Sequence, residues 1–393
     1  MNYLEQIQEL VDRSYQLPNN FTKIHLIEAA IKLADSYQNI EEGFELRSYL
    51  ISTLYKCGYP EKLLVAFSWC LAQYDRDPEK FRHHEWRLMW HYKWILEKLA
   101  RFPQISRQQI ENSFADMKQR YLQLGISLRA VYQHQFMVSM YMGDFDLAPQ
   151  YYQQWQDAPE DSSKDCAGCE LDRVVWYLLA MDKTESALHK AQPIITGKLY
   201  CAELPHLTLS RFLVPLVKLK QLDLAQEYHL QSCHKVTGNN KFLEQLAEQI
   251  LFLALVENNV KAITLIEQNI IIALTTHDVS DRFDFYRAVI FLIDNLLAEN
   301  TEKISLLMPR DFPLYTQEGE YNLQDLLNWF ESEAKTIAQQ FDLRNGNQYY
   351  SERLQELSTL KQYIIDYQID TQTQLNSSAN LNRGEILQPF SVE

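Results

Sequence analysis

The feature that most constrains the fold of this chain is a sequence repeat with a period of about 38 residues. Four segments align, and each ends on an alanine that opens a predicted helix: Gly143–Ala148, Asp182–Ala187, Lys220–Ala225 and Glu257–Ala262. The alanines lie 39, 38 and 37 residues apart. A period of this size holds two helices of about 14 residues and two short connections. Because a methyl side chain lets two helices cross closely, the repeat predicts a stack of helical hairpins.

Composition favours helices over strands. The 393 residues include only ten glycines and 12 prolines, few for an all-β fold, which needs many tight turns. Residues 24–37 carry apolar side chains at a helical period. Asn322 and Ser351 are the expected N-caps of the last two helices. The sequence therefore predicts an all-α fold.

The first of the four turns carries a resemblance to a known family. Gly143-Asp-Phe-Asp-Leu-Ala148 resembles the inter-helix turn of tetratricopeptide repeats, and Pro159 resembles the proline that closes such a repeat. The other three units lack the glycine, and their spacing exceeds the family's usual repeat of about 34 residues. They are lengthened or degenerate copies. The resemblance implies a superhelix of stacked hairpins, an α-solenoid, with a concave groove for peptides or partner proteins.

The predicted organisation has four parts. Residues 1–308 form the α-solenoid of degenerate helical hairpins. Residues 309–322 contain two prolines and a glycine and interrupt the helical pattern, which indicates a linker. Residues 323–368 are expected to form a C-terminal helical cap that covers the apolar end of the stack. Residues 369–393 lack periodicity and are predicted to be a disordered tail.

A narrower resemblance covers residues 155–234. There the chain is similar to a bacterial, actinobacterial-type group of tetratricopeptide proteins that carries a Cys-x-x-Cys between repeats. The matching residues are Cys166-Ala-Gly-Cys169 and the later block Cys201-Ala-Glu-Leu-Pro205. This resemblance supports the fold and implies no particular biochemical role.

The cysteines of these blocks are candidate metal ligands. Thiolates spaced as in Cys166 and Cys169 can hold one tetrahedral zinc ion, and Cys201 would supply a third ligand. Such an ion would pin the long polar connection of residues 157–169. Candidates for the fourth ligand are Asp165, His206, Cys233 and His234. Zinc here would be structural, since a catalytic zinc also needs an open position and a base. Free or packed cysteines and redox chemistry remain alternatives, although a redox motif needs a βαβ context that this chain lacks.

Trp86, Trp90 and Trp94 follow one another at a spacing of four residues and therefore lie along one face of a predicted helix. This stripe either binds a partner peptide or packs between hairpins, and packing is the commoner role for such residues. Arg87 and Lys93 flank the stripe and are expected to be solvated.

The histidines near this stripe do not form a metalloprotease motif. His83, His84 and Glu85 are adjacent, but the position four residues after His84 is Leu88 and not a second histidine. We therefore expect His83, His84 and His91 to be core or surface residues.

Motifs for catalysis are missing from the sequence. Neither the glycine-rich phosphate loops nor the Gly-x-Ser-x-Gly elbow of hydrolases occurs. No catalytic residue and no cofactor other than a structural zinc is predicted, and the chain is expected not to be an enzyme.

Charge and hydropathy restrict the partners. The net charge of −15, without any run of five basic residues, disfavours nucleic acid and anionic lipid. The first residues lack a signal-peptide pattern, and no apolar run is long enough to span a bilayer. We expect a cytoplasmic, non-catalytic scaffold that binds a protein or peptide in its concave groove. The alternatives are a sensor that responds to a small molecule or peptide, and a zinc protein or metal-dependent enzyme built on the cysteines.

Overall fold

A computed structural model describes residues 2–369 of the chain. In this range the fold is all-α, as predicted, and the helices follow one another as antiparallel pairs. They are α1 (Tyr3–Tyr15), α2 (Phe21–Ser36), α3 (Ile40–Cys57), α4 (Pro60–Arg76), α5 (Glu85–Leu99), α6 (Arg107–Gln123), α7 (Arg129–Met142), α8 (Ala148–Asp157), α9 (Ala167–Ala180), α10 (Thr184–Ile195), α11 (His206–Lys218), α12 (Leu222–Val236), α13 (Leu243–Leu255), α14 (Asn259–Thr275), α15 (Val279–Ala298), α16 (Leu323–Asn345) and α17 (Tyr349–Leu360).

The helices from α9 to α16 form two layers. The first helices of successive pairs, α9, α11, α13 and α15, pack on one another, while α10, α12, α14 and α16 each pack on their own partner. Eleven of the 13 residues of α11 are buried, but only three of the 12 in α10. The first helices therefore form the inner layer of a solenoid and the second helices form its outer layer.

The four repeated turns have the same backbone geometry. The residue five positions before each alanine adopts a left-handed conformation, with φ of 73° at Gly143, 54° at Asp182, 58° at Lys220 and 57° at Glu257. Each alanine amide donates to the carbonyl four residues earlier, as Ala187 does to Lys183 at 2.9 Å. All four alanines are fully buried. The predicted equivalence of these positions is confirmed.

A fifth copy of this turn lies near the N-terminus. Gln38 has φ of 54°, and the amide of Gly43, five residues later, donates to the carbonyl of Asn39 at 2.9 Å. Gly43 is buried where the other copies have alanine. The sequence comparison missed this copy because glycine replaces the alanine that identified the others.

The segment predicted to be a linker is packed against the solenoid. Strand β1 (Lys303–Ser305) pairs antiparallel with β2 (Glu320–Asn322). Between the strands, Phe312 is buried against Trp329 of α16, with ring centroids 4.8 Å apart. These contacts fix the position from which α16 begins.

The last two helices differ in how well their starts were predicted. The Asn322 side chain caps α16 by accepting from the Asp325 amide at 3.1 Å, as expected. Ser351 was wrongly predicted as a cap, because α17 begins two residues earlier at Tyr349. The Ser351 amide instead donates to Asp342 at 3.1 Å, since this carboxylate reaches across from the end of α16. Apart from Ile369, the predicted tail 369–393 lies outside the described residues.

The end of the chain contacts helices of the N-terminal half. Arg344 of α16 donates to the carbonyls of Ala100 at 2.7 Å and of Phe102 at 3.3 Å. Asn347 donates to the carbonyl of Met142 at 2.8 Å. The chain therefore folds back, and its end contacts helices about 200 residues earlier.

No helix between residues 2 and 369 has both the length and the apolarity required to cross a membrane.

Candidate functional site

The three predicted metal ligands lie together. The sulphur atoms of Cys166, Cys169 and Cys201 are all within 4.8 Å of one another, and those of Cys169 and Cys201 are 3.4 Å apart. All three are free thiols, because these distances are far longer than a disulfide bond. Sulphur ligands about 2.3 Å from a tetrahedral zinc would be about 3.8 Å from each other. The arrangement fits three of the four corners of such a site.

Local structure explains why the cysteines meet. Cys166 is the N-cap of α9, and its sulphur accepts from the Cys169 amide at 3.4 Å. Cys201 lies in the connection between α10 and α11. A Cβ on Gly168 would lie 2.9 Å from Cδ1 of Leu204, so glycine at this position lets the Leu204 side chain pack directly on α9. The glycine inside the Cys-x-x-Cys thus serves the approach of the third cysteine.

The thiols polarise one another. The hydrogen bond between Cys169 and Cys201 is the main reason why the pKa of Cys201 is lowered and that of Cys169 is raised. Backbone amides of Glu203 and Leu204 add to the stabilisation of a Cys201 thiolate.

None of the four candidates for a fourth ligand joins the cluster. Asp165 accepts from Lys93 at 2.8 Å and from Gln133 at 2.9 Å, so both of its oxygens are engaged elsewhere. His206 is buried against Phe242, with ring centroids 4.8 Å apart. The others, Cys233 and His234, also lie outside the group of three sulphurs. Within residues 2–369 the fourth corner has no protein ligand, and Cys166 faces solvent.

The connection before α9 is held by polar contacts. Asp161 accepts from the amides of Ser127 at 2.6 Å and of Ser163 at 2.8 Å. Lys93 donates to the carbonyl of Ser163 at 2.7 Å as well as to Asp165. Lys93 is completely buried, so its expected solvation is wrong. A metal is not required to pin this connection; it would instead fasten the segment around Cys201.

The tryptophan stripe is divided between packing and exposure. Trp94 stacks on Tyr55 with ring centroids 4.2 Å apart, and the Lys93 ammonium lies 3.4 Å from the ring centroid of Trp90. Trp86 stacks on Trp90 and is 53% exposed. Of the three, Trp86 offers the largest free surface for a partner.

A second group of possible metal ligands was missed by the sequence analysis. Glu45 of α3 lies within 4.8 Å of His83 and His84. Its carboxylate already pairs with Arg87 at 2.9 Å, and His84 is buried against Phe44. A metal at this site would have to displace a guanidinium. Nothing in the sequence near the histidines indicated a partner on α3.

The inner layer of the solenoid carries a continuous set of charged side chains, which we call the inner charged strip. Its members, mostly buried, interact electrostatically from helix to helix. They are Glu97 on α5, Arg101 just after α5, Asp172 and Arg173 on α9, Arg211 on α11, Glu244 and Glu248 on α13, Asp281, Asp284 and Arg287 on α15, and Arg353 on α17.

Arg101 joins distant parts of this strip. Its guanidinium pairs with Asp281 and also contacts Asp278 at 3.4 Å, both at the start of α15. It further contacts Glu244 of α13 at 3.3 Å and the hydroxyl of Tyr141 at 2.9 Å. The partners are up to 180 residues away in sequence. The end of α5 is therefore joined to the start of α15 across the solenoid.

Three guanidinium groups of the strip keep an unused donor. The Nε atoms of Arg101, Arg173 and Arg211 are buried and have no hydrogen-bond partner among the described residues. Arg173 is the least paired, because its neighbour Asp172 lies 3.6 Å away and already accepts from Thr208 and Arg211. Buried donors without partners are costly, and native proteins keep few of them.

The strip also shifts the pKa of its carboxyl groups. Burial raises the pKa of Glu248 to about 7, against the attraction of Arg287. Burial acts in the same direction on Glu97, but Lys98 and Arg173 outweigh it and lower the pKa of Glu97 to about 2. Charge on the inner layer is therefore set by neighbouring helices.

Comparison with known proteins does not assign the chain to a family. No protein-family model matches the chain, and no curated protein is recognisably similar to it. The helical repeat architecture is compatible with a tetratricopeptide-like fold.

Proposed function

We propose that this chain is a non-catalytic, cytoplasmic repeat scaffold that binds a charged segment of a protein or peptide on the inner charged strip. We also propose that it belongs to the tetratricopeptide-like bacterial group with a Cys-x-x-Cys between repeats. The observation that supports binding is Arg173, whose half-buried guanidinium has a 3.6 Å contact with Asp172 and an Nε without a hydrogen-bond partner among the described residues.

Stability alone does not call for such a strip. Buried ion pairs contribute little net stability, since the cost of removing charges from water offsets their attraction. Apolar residues would hold α9, α11 and α13 together as well. Retained charges favour recognition of a partner with carboxylate or carbonyl oxygens, which can pair with the accessible part of the Arg173 guanidinium.

The partner we expect bears acidic groups next to polar backbone. In this partly desolvated strip, an Arg–carboxylate hydrogen bond is stronger than at an exposed surface. The opposing carboxylates of Glu97 and Glu244 would set its orientation and exclude partners of the wrong charge pattern.

The test compares two full-length variants with the same loss of one positive charge. Arg173→Gln removes the least paired donor of the strip, and Lys190→Gln removes an exposed charge on the outer helix α10. Each is used for affinity capture with crosslinking from the cell that encodes it. We expect a reproducible protein partner with the wild type and with Lys190→Gln, and at least about tenfold less with Arg173→Gln, as for a lost charge-assisted hydrogen bond.

Either of two results would contradict the proposal. One is the absence of any reproducible protein partner of the wild type. The other is equal capture by Arg173→Gln, with both variants shown to be folded by circular dichroism. Capture that weakens with added salt would support the charged nature of the contact.

A second candidate function is a sensor, and the closing contacts of Arg101 favour it. A small anionic molecule that competes for this guanidinium would change how α5 meets α15, and thus the curvature of the solenoid. Small-molecule fractions of cell extract would then raise the melting temperature of the wild type but not of Arg101→Gln. Stabilisation by a protein fraction alone would favour the scaffold.

A further inference from the structure

We propose that Cys166, Cys169 and Cys201 bind one zinc ion through three thiolates, with the fourth position filled from solvent, and that this ion fastens the α10–α11 connection to the start of α9. The proposal is independent of the partner-binding proposal, because it rests on different residues.

The donor set supports zinc. Three thiolates are soft ligands that favour zinc or copper(I) over magnesium or calcium. Their sulphurs lie within 4.8 Å of one another, close to the spacing of tetrahedral zinc ligands. Packing of Leu204 over Gly168 places the Cys201 segment beside the start of α9.

The position of the ligands indicates what the ion does. Cys166 and Cys169 lie on the first turn of α9, whose preceding connection is already held by Lys93 and Asp161. The connection from 196 to 205 has more exposed residues, including Tyr200 at 81%. A shared ion would therefore restrain mainly this second connection.

The open fourth position distinguishes this site from a closed structural one. No described His, Cys, Asp or Glu side chain joins the three sulphurs, and Cys166 is exposed. Water or a small external thiol would complete the coordination. The ion would then be easier to exchange than in a site with four protein ligands.

Elemental analysis of untagged, full-length protein purified under reducing conditions tests the assignment. We expect about one zinc per chain in the wild type, as three thiolates and a solvent ligand require. Cys169→Ser and Cys201→Ser should lose most of it. Cys233→Ser is the matched control: this cysteine of α12 is half-buried and lies outside the cluster, so its variant should keep the ion.

A second measurement does not depend on variants that fold. Wild-type protein stripped by a chelator and titrated with cobalt(II) should develop thiolate charge-transfer absorption that saturates at about one ion per chain. Stripping should also speed tryptic cleavage after the exposed Lys198 severalfold, while cleavage after Lys190 in α10 stays unchanged.

Four results would overturn the proposal. The first is wild-type protein that neither contains nor takes up zinc, and the second is protein that holds copper in place of zinc. The third is zinc retained in both Cys169→Ser and Cys201→Ser. The fourth is a mass lower by two hydrogens in the reduced preparation, which would show a Cys169–Cys201 disulfide.

Discussion

Two regions of this molecule are held together in different ways. The turns between residues 143 and 262 repeat one local geometry, in which a left-handed residue precedes a buried alanine by five positions. The closing contacts, between residues 100–144 and 278–353, occur once and join parts of the chain that are far apart in sequence.

We expect the repeated turns and the closing contacts to determine different properties of the fold. A repeated turn fixes how one helix pair folds. A change in one turn affects that pair and its neighbours, because each repeat contacts only adjacent repeats. The closing contacts decide how strongly the whole stack curves. Loss of one closing contact should change both stability and shape, whereas a change in one turn should affect stability alone.

The largest expected effect comes from Arg101→Met. The variant leaves Asp278 and Asp281 buried without their main partner, so the free energy of unfolding should fall by about 3 kcal/mol. The radius of gyration measured by X-ray scattering should increase as α5 separates from α15. Arg120→Met is the control, because Arg120 pairs with the half-exposed Asp75 and Asp116 and should contribute only about 1 kcal/mol. Equal effects of both variants would mean that the closing contact stabilises the fold no more than an ion pair at the surface.

Gly143→Ala probes the one turn that is also a closing contact. A Cβ at Gly143 would lie 2.4 Å from Cβ of Tyr349 in α17, and φ is 73°. Unfavourable φ and the clash together should lower the free energy of unfolding by about 3 kcal/mol. Gly125→Ala has a similar φ of 68° without any atom within 4 Å, and should cost only about 1 kcal/mol. If denaturant unfolding gives the two variants the same loss, the packing of α17 on the turn is unimportant.

Glu248→Gln tests the charge of the inner strip through pH. Since the folded state raises this pKa to about 7, it binds the proton more tightly than the unfolded state. Its stabilising contribution is complete below the ordinary carboxyl pKa and is lost as the pH rises through 7. From pH 5 to pH 8 the wild type should lose about 2 kcal/mol more stability than the variant. Glu227→Gln, an exposed change on α12, should show the same pH dependence of stability as the wild type. If Glu248→Gln also shows that dependence, the pKa of Glu248 is not raised in the folded state.

The same comparison separates what the sequence predicted from what it did not. The alanine spacing predicted the turns because each turn depends on residues within one hairpin. The Cys-x-x-Cys and Cys201 were predicted as neighbours, since they flank a single helix pair. The roles of Arg101, Arg344 and Lys93 were not predictable, because their partners lie 70 to 244 residues away and follow no period. Glu45 beside His84 was not predicted because it lies on another helix, α3, and no motif connects it to the histidine.

The smallest expected effect isolates a turn from the closing contacts. Lys220 holds the position of Gly143 in its repeat, with φ of 58°, but its side chain is exposed. An L-residue is strained in this conformation by about 1–2 kcal/mol, and glycine loses about 0.5–1 kcal/mol more through backbone entropy. Lys220→Gly should therefore raise the free energy of unfolding by about 0.5 kcal/mol and leave the radius of gyration unchanged. Lys190→Gly, the same substitution inside α10, should lower stability by about 1 kcal/mol. A destabilised Lys220→Gly would mean that the left-handed residue is not the source of strain in the repeated turn.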